Sequence, residues 1–504
     1  MKNKILFCFL FLSISILTSS TGWAIDRPAP LPSSSLNTSP NTPFLLAEAG
    51  GEEEDSSLEM LGMMAGMMAS YSEEENLSRE EVMSSVQGGN WDQALTQLEN
   101  IWEEDLQAFY GSDGWIRKVS LKQLQQNLAS LDQETGQRSA IVYLASRPNN
   151  LEVLLVTADT TPVRQIVLEA KRDALLKTAG QLLVRISSKD RTVGRAFLNP
   201  AKQLYQWIIA PIAPQLDRQK INNLIFITDY GLRSVPMAVL HDGQQFLVEK
   251  YSIANSPSFN LLNPKYKNIK NADVLAMGAS TFINQAPLPA VPAELRTITQ
   301  DQGIGLSFLN QPFTVSNLIS QRQQKPFEIV HLATHADFNA GSPDRSYIQF
   351  FDSQLLLNDL EKLRLNDPPV SLLVISACQS AVGNKNAELG FAGLAIKSGV
   401  DTVVASLWYV SDEGTLALMS EFYRHLRTAP IKAEALRQAQ IAMIKGNVRI
   451  ENGQLVTNST NNYLPTQAPN QTRIPLPPEL ASRTVNNLAH PYYWSAFTMI
   501  GSPW

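Results

Sequence analysis

Six apolar runs of fully buried character constrain this chain most: Leu224 to Thr228, Val274 to Gly278, Ile329 to Thr334, Leu372 to Ser376, Thr402 to Leu407 and Phe497 to Ile500. Helical stretches are interspersed among them. A strand covered on both faces shows no polar alternation, so such runs between helices predict an α/β fold: a mostly parallel sheet covered by helices. A smaller β segment precedes it. Ala140 to Ala145, Leu151 to Thr157 and Val163 to Leu168 read as strands, the first two joined by an Arg147-Pro148-Asn149-Asn150 turn. Helical patterns follow over about 172–187 and 200–213. Residues 451–485 are rich in Pro and Asn and predict a surface loop before the last strand.

The 504 residues allow several domains, and a 44% apolar content excludes wholesale disorder, collagen and a disulfide scaffold. A formal charge of −6 argues against a nucleic-acid binder, which normally carries a basic stripe. Residues 1–24 read as a signal peptide: Lys2 and Lys4, an apolar run from Ile5 to Leu17, then Gly22 and Ala24 as small cleavage residues. The run is too short to span a bilayer comfortably. The expected mature protein is exported, periplasmic or extracellular, with no integral membrane span; an uncleaved N-terminal anchor is the alternative. Processing removes Cys8 and leaves one thiol, Cys378, so no internal disulfide can form.

Residues 25–75 read as a flexible linker, first Pro/Ser/Asn-rich, then acidic and Met-rich. Glu52 to Glu81 holds ten acidic residues against one basic, Arg79. Met60, Met63, Met64, Met67 and Met68 would share one face of a helix. The segment could serve self-association or a protein partner, bind copper through thioethers, or have no role. Residues 76–135 are helical by pattern and carry one degenerate unit resembling a tetratricopeptide repeat at Gly89-Asn90-Trp91; no copy occurs at a period of 34. Ser120 can cap a helix whose Leu121, Leu124, Leu128 and Leu131 share a face.

In open α/β sheets sites form beyond the carboxyl ends of strands. Two apolar runs end in residues suited to catalysis, one leading through Thr334 to His335 and one through Ala377 to Cys378. Were these strands neighbours, the imidazole could take the thiol proton, the usual route to a reactive thiolate. The small residues after each would let backbone N–H groups face a reacting carbonyl. The alternative for Cys378 is a small buried hydrophobe. His331 lies mid-strand and reads as a satisfied core histidine; His241, His425 and His490 read as structural. No metal-ligand or cofactor motif is present, so neither a metal nor a cofactor is expected.

At these residues the sequence resembles the CHAT-domain family of caspase-related, repeat-associated bacterial proteins, with a close similarity to cyanobacterial members. The resemblance covers about 139–504, or the region 136–504 as a domain. It rests on HLATHADF (331–338), VISACQSA (374–381), GFAGLAIKSGVDTVVASLWYVSD (390–412) and YYWSAFTMIGSPW (492–504). DYGLRSVPMAVLHDG (229–243) and LPAVPAEL (288–295) also look like family segments. It implies a caspase-like α/β fold and a cysteine-endopeptidase dyad acting on a protein or peptide, with His335 as general base and Cys378 as nucleophile. The backbone N–H groups of Ala336 and Cys378 would form the oxyanion site, although caspases more often carry Gly after the histidine. Trp408 would wall a substrate pocket and Asp412 would accept a basic side chain. Asp412 can equally be a helix N-terminal aspartate, since Ser411-Asp412-Glu413 opens an amphipathic helix. A non-catalytic assembly module remains the competing reading of the whole chain.

Overall fold

A computed structural model of the chain describes residues 89–110, 118–188, 194–301, 305–337, 344–378, 393, 397–459, 470–481 and 487–504. The chain divides into two units, Met1–Gly50 and Gly51–Trp504, and every described residue lies in the second. The segments expected to be a signal peptide, a Pro-rich tether and an acidic Met cluster lie outside the described residues.

Helices α1 (Trp91–Tyr110) and α2 (Leu121–Thr135) come first. Ser120 caps α2 by accepting the Gln123 N–H at 3.2 Å, and Leu124, Leu128 and Leu131 are buried, following the spacing of the sequence. Strands β1 (Ser139–Ser146), β2 (Leu151–Thr157) and β3 (Val163–Val167) follow. The β1–β2 turn closes where Arg147 N–H meets Asn150 O at 2.8 Å. Helices α3 (Arg172–Ser187) and α4 (Leu198–Ile208) lead to β4 (Asn223–Thr228), β5 (Ser252–Asn255) and β6 (Val274–Gly278). Then come α5 (Val291–Arg296), β7 (Gly305–Leu309), α6 (Val315–Gln324) and β8 (Ile329–Asp337). A short hairpin, β9 (Tyr347–Gln349) and β10 (Gln354–Leu356), precedes β11 (Leu372–Cys378) and β12 (Thr402–Ser406). Helices α7 (Asp412–Leu426) and α8 (Lys432–Ile444) close the parallel set.

The stretch expected as a surface loop instead begins inside a small antiparallel sheet: β13 (Val448–Glu451), β14 (Gln454–Ser459) and β15 (Asn470–Pro475). Val448, Ile450, Leu455 and Ile474 are buried there, an alternation that the Pro and Asn content concealed. Strand β16 (Phe497–Gly501) ends the fold.

Thirteen strands form one sheet among the described residues, in the order β10-β9-β8-β11-β12-β16-β5-β4-β1-β2-β3, with β6 beside β8 and β7 beside β6. The pairings β8–β11, β11–β12, β6–β8, β6–β7, β16–β5, β4–β5 and β1–β4 are parallel. Helices cover this mixed α/β sheet, and its central strands are buried throughout, as β1, β2, β4 and β6 illustrate. Strand β16 runs antiparallel to β12. The half containing β16, β5, β4 and β1 therefore runs opposite to β8, β11 and β12. The carboxyl ends of the two halves lie at opposite edges, and β6, β7, β8, β11 and β12 end at the same one.

The first half is sealed by α1. Trp102 stacks on Tyr143 at 5.6 Å and 7°, and its indole N–H donates to Asp229 Oδ1 at 3.0 Å. Glu99 is buried among three donors: Tyr143 Oη at 2.9 Å, the Phe259 N–H at 3.1 Å, and the Ser258 hydroxyl. With no cation among these partners, burial pushes the Glu99 carboxyl up to about 7. Among the described residues no helix is long and apolar enough to cross a membrane.

Candidate active site

Strands β8 and β11 are adjacent and parallel, and their register pairs Leu372 with Ile329 through to Cys378 with His335. The two residues singled out by the sequence thus close the same pair of strands at the same level. Their apolar runs make this possible: seven consecutive registered pairs leave no freedom for slippage at the ends.

Close approach on the other side of β8 needs Gly278. A Cβ at that position would stand 2.4 Å from Ala333 O and 3.0 Å from Val291 Cγ1. The absent side chain lets β6 lie against β8, with the Ala279 N–H reaching Ala333 O at 3.1 Å.

From β6 the chain loops through 279–290 before α5. The loop is pinched shut where the Leu288 N–H donates to Ser280 O at 3.0 Å. Its tip reaches His335 twice. The imidazole donates Nε2–H to Ala286 O at 2.8 Å, and the Phe282 ring meets it edge-on with centroids 4.5 Å apart. A carbonyl can only accept, so Nε2 carries the proton and the neutral ring holds its lone pair on Nδ1. Burial lowers the His335 pKa from its ordinary value, and the Ala286 bond offsets part of that. The result is a histidine that is neutral at pH 7 and able to accept a proton. Ala286 and Phe282 were not legible as site residues. The first acts through its backbone, and the second lies between families of polar loop residues with no pattern to mark it.

Ala336 follows His335 and stands in register with Ile348 of β9, so its backbone belongs to a strand pair. Beside the last residues of β8 and β11 lies a cleft enclosing about 340 Å³, open solvent at its mouth included, lined by Leu288, Val291, Glu294, Thr334, Ser376, Val410, Asp412 and Thr415; His335 is not in the lining. Asp412 is thus brought to the edge of the β8–β11 pair. The cap of α7 is Ser411, whose hydroxyl accepts the Gly414 N–H at 3.3 Å, and Asp412 sits in the first turn, where a carboxylate also favours the helix dipole. Trp408 is not in the lining. It is buried, with its indole N–H 3.4 Å from Tyr492 O, and Val410 takes the wall position.

Glu294 is the second carboxylate of the cleft. It lay in a segment that resembled the family, but no chemistry was assigned to it. Its Oε1 accepts the Ser376 hydroxyl at 2.7 Å and lies 3.0 Å from His331 Nε2. His331 is buried with Nδ1 3.1 Å from Tyr423 Oη, but it is not the fully satisfied core histidine expected: its Nε2, although 3.0 Å from Glu294 Oε1, makes no hydrogen bond. The remaining histidines are structural. His241 Nδ1 accepts the Gly243 N–H at 2.9 Å, His490 Nδ1 accepts the Tyr492 N–H at 3.2 Å, and His425 is buried beside Arg424.

The sheet defines a mixed α/β protein, largely parallel and covered by helices, in which a histidine and a cysteine stand in register near the ends of one parallel strand pair. The chain belongs to the CHAT domain family, whose model matches residues 198–502. No curated protein matches the sequence. Among solved structures it matches the Saccharomyces cerevisiae separase–securin complex, at 11% identity and a TM-score of 0.45, over 89% of this chain and 35% of that one. A second structure of the same complex matches at 11% identity and a TM-score of 0.34, over 90% of this chain and 27% of that one. The chain thus spans about a third of the length of the separase complex chain it matches.

Proposed function

We propose that this chain is an exported cysteine endopeptidase of caspase-like type, with His335 as general base and Cys378 as nucleophile. The observation that carries the reading is the β8–β11 register, which ends with Cys378 opposite His335. The Ala286 carbonyl supports it by holding the proton on Nε2 and leaving the Nδ1 lone pair for the thiol.

In this reading Nδ1 takes the Cys378 proton as sulfur attacks the scissile carbonyl. The oxyanion of the tetrahedral adduct is held by backbone N–H groups, with Ala336 and Cys378 proposed. The imidazolium returns the proton to the departing amine, leaving a thioester. His335 then deprotonates water, which attacks the thioester, frees the new carboxyl end and restores the thiol. The Asp412 carboxylate in the cleft lining favours a lysine or arginine side chain there.

Export rests on the sequence of residues 1–24, and a protein partner or self-association is proposed for 52–81 and 76–135. Mature protein should cleave a diverse peptide library, and Cys378→Ala should abolish that cleavage. Proteolysis that survives the substitution would remove Cys378 as the nucleophile, and none by the wild type would favour the non-catalytic assembly module. That module would lose assembly on deletion of 52–81.

A further inference from the structure

Four buried side chains meet beneath the strand ends. Glu294 and His331 are 2% and 0% exposed, and Ser376 and Tyr423 are also buried. The Glu294 carboxylate accepts the Ser376 hydroxyl at 2.7 Å and approaches His331 Nε2 at 3.0 Å. His331 Nδ1 in turn lies 3.1 Å from the Tyr423 hydroxyl, and the two rings stand at 65° with centroids 5.5 Å apart.

Each member comes from an element that also carries part of the site. His331 is on β8 with His335, and Ser376 is on β11 two residues before Cys378. Glu294 is on α5, directly after the loop whose Ala286 carbonyl holds His335, and Tyr423 is on α7, which begins at Asp412. For stability alone this arrangement is poor. Taking a carboxylate out of water is costly, and apolar residues of similar volume usually serve a core as well or better. A charge held by several partners is better suited to fixing relative position.

The loop geometry says what is fixed. Residues 280–288 form a loop closed by the Leu288–Ser280 bond, with Ser280 also held by Asn310 Oδ1 at 2.8 Å and Gln285 by Tyr347 Oη at 3.4 Å; the first turn of α5 follows, where the Glu294 N–H reaches Ala290 O at 2.9 Å. The downstream end of the loop is therefore bonded to β11 through the Glu294 carboxylate, beside the buried Leu288, Ala290 and Val291. If that anchor shifts, the Ala286 carbonyl moves with it, and His335 loses the contact that decides which ring nitrogen carries the proton.

We propose that Glu294 is a positioning residue: held by the Ser376 hydroxyl and set against His331, it anchors the 279–290 loop so that the Ala286 carbonyl sets the tautomer and orientation of His335. This inference rests on the dyad reading.

The test is the rate at which iodoacetamide alkylates Cys378 from pH 5 to 9, in the full chain. The rate is read by mass on the peptide carrying that residue, so that Cys8 does not contribute. Circular dichroism and the thermal midpoint report folding separately. Wild type should react at pH 6 at least about tenfold faster than His335→Ala. Folded Glu294→Gln should fall about tenfold towards His335→Ala, its inflection moving towards the ordinary thiol value of about 8.5. Ser376→Ala, which keeps the charge and removes one donor, should shift the same way by several-fold. A folded Glu294→Gln with wild-type rate and inflection overturns the inference. If Glu294→Gln does not fold, a wild-type profile for Ser376→Ala overturns it. A wild type no faster than His335→Ala overturns the dyad reading itself, whatever the Glu294 variant does.

Discussion

His335 donates its Nε2–H to the carbonyl of Ala286 at 2.8 Å, and the Phe282 ring packs against the same imidazole at 4.5 Å between centroids. Burial is the main cause of its lowered pKa. A histidine with a depressed folded pKa loses stability as pH falls below its ordinary value of 6.5, because the unfolded chain then binds the proton first. Removing the aromatic cover should reverse part of this. In Phe282→Ala the His335 ring should titrate closer to 6.5 than in wild type. The His335 Cε1 proton resonance followed against pH would measure it; a wild-type midpoint at or above 6.5 would contradict the burial argument.

Gly278→Ala should damage both the sheet and the site. The new Cβ would stand 2.4 Å from a backbone oxygen of β8, which cannot rotate away. Overpacking of this kind costs about 1–3 kcal/mol. The strand that moves is the one leading to His335, so chemical denaturation should show the lost stability and Cys378 alkylation should slow together. A variant destabilised with unchanged thiol reactivity would separate the two.

Glu99 predicts a pH dependence far from the cleft. Its folded pKa is raised to about 7 by burial, so its stabilising contribution is complete below the ordinary 4.5 and is lost as pH rises through about 7. Glu103 is raised in the same direction, again by burial first. Urea midpoints should therefore decline between pH 5 and 8, by at most about 1.4 kcal/mol per pH unit for each such proton. Glu99→Gln, which imitates the neutral acid, should flatten that slope and exceed wild type in stability at pH 8. A Glu99→Gln slope equal to wild type would show that the buried carboxyl does not titrate there.

Asp412→Asn should discriminate between substrates. Loss of its charge should reduce kcat/KM for peptides with lysine or arginine before the cut by about tenfold, equivalent to about 1.4 kcal/mol, and leave neutral residues at that position little changed. An equal loss for both classes would make Asp412 a helix-end residue with no part in selection.

The runs Val274 to Gly278, Ile329 to Thr334 and Leu372 to Ser376 were legible as strands because burial on both faces removes any polar alternation, and the observed strands begin on the same residues. Two features of the sheet were not legible. Strand direction is set by how the chain returns, and β16 enters from the edge where β12 ends, so it runs antiparallel although its composition matches its parallel neighbours. Strands β13 and β14 are short and flanked by Asn and Gly, which drown a period-two signal. At the site, His335 and Cys378 stood out because their chemistry lies in the side chain. Ala286 acts through a carbonyl that every residue possesses. Glu294 gains its meaning from Ser376, 82 residues away, a separation no local pattern spans.

The account stands most directly on one labelling experiment. Mature protein is treated with a peptidyl acyloxymethyl ketone ending in arginine, and the adduct is located by mass. The account predicts a single adduct on Cys378 in wild type, its formation slowed at least about a hundredfold in His335→Ala, since general-base assistance contributes about 10²–10⁴. Equal labelling of the two proteins, or no labelling of Cys378 in wild type, would contradict a His335–Cys378 dyad.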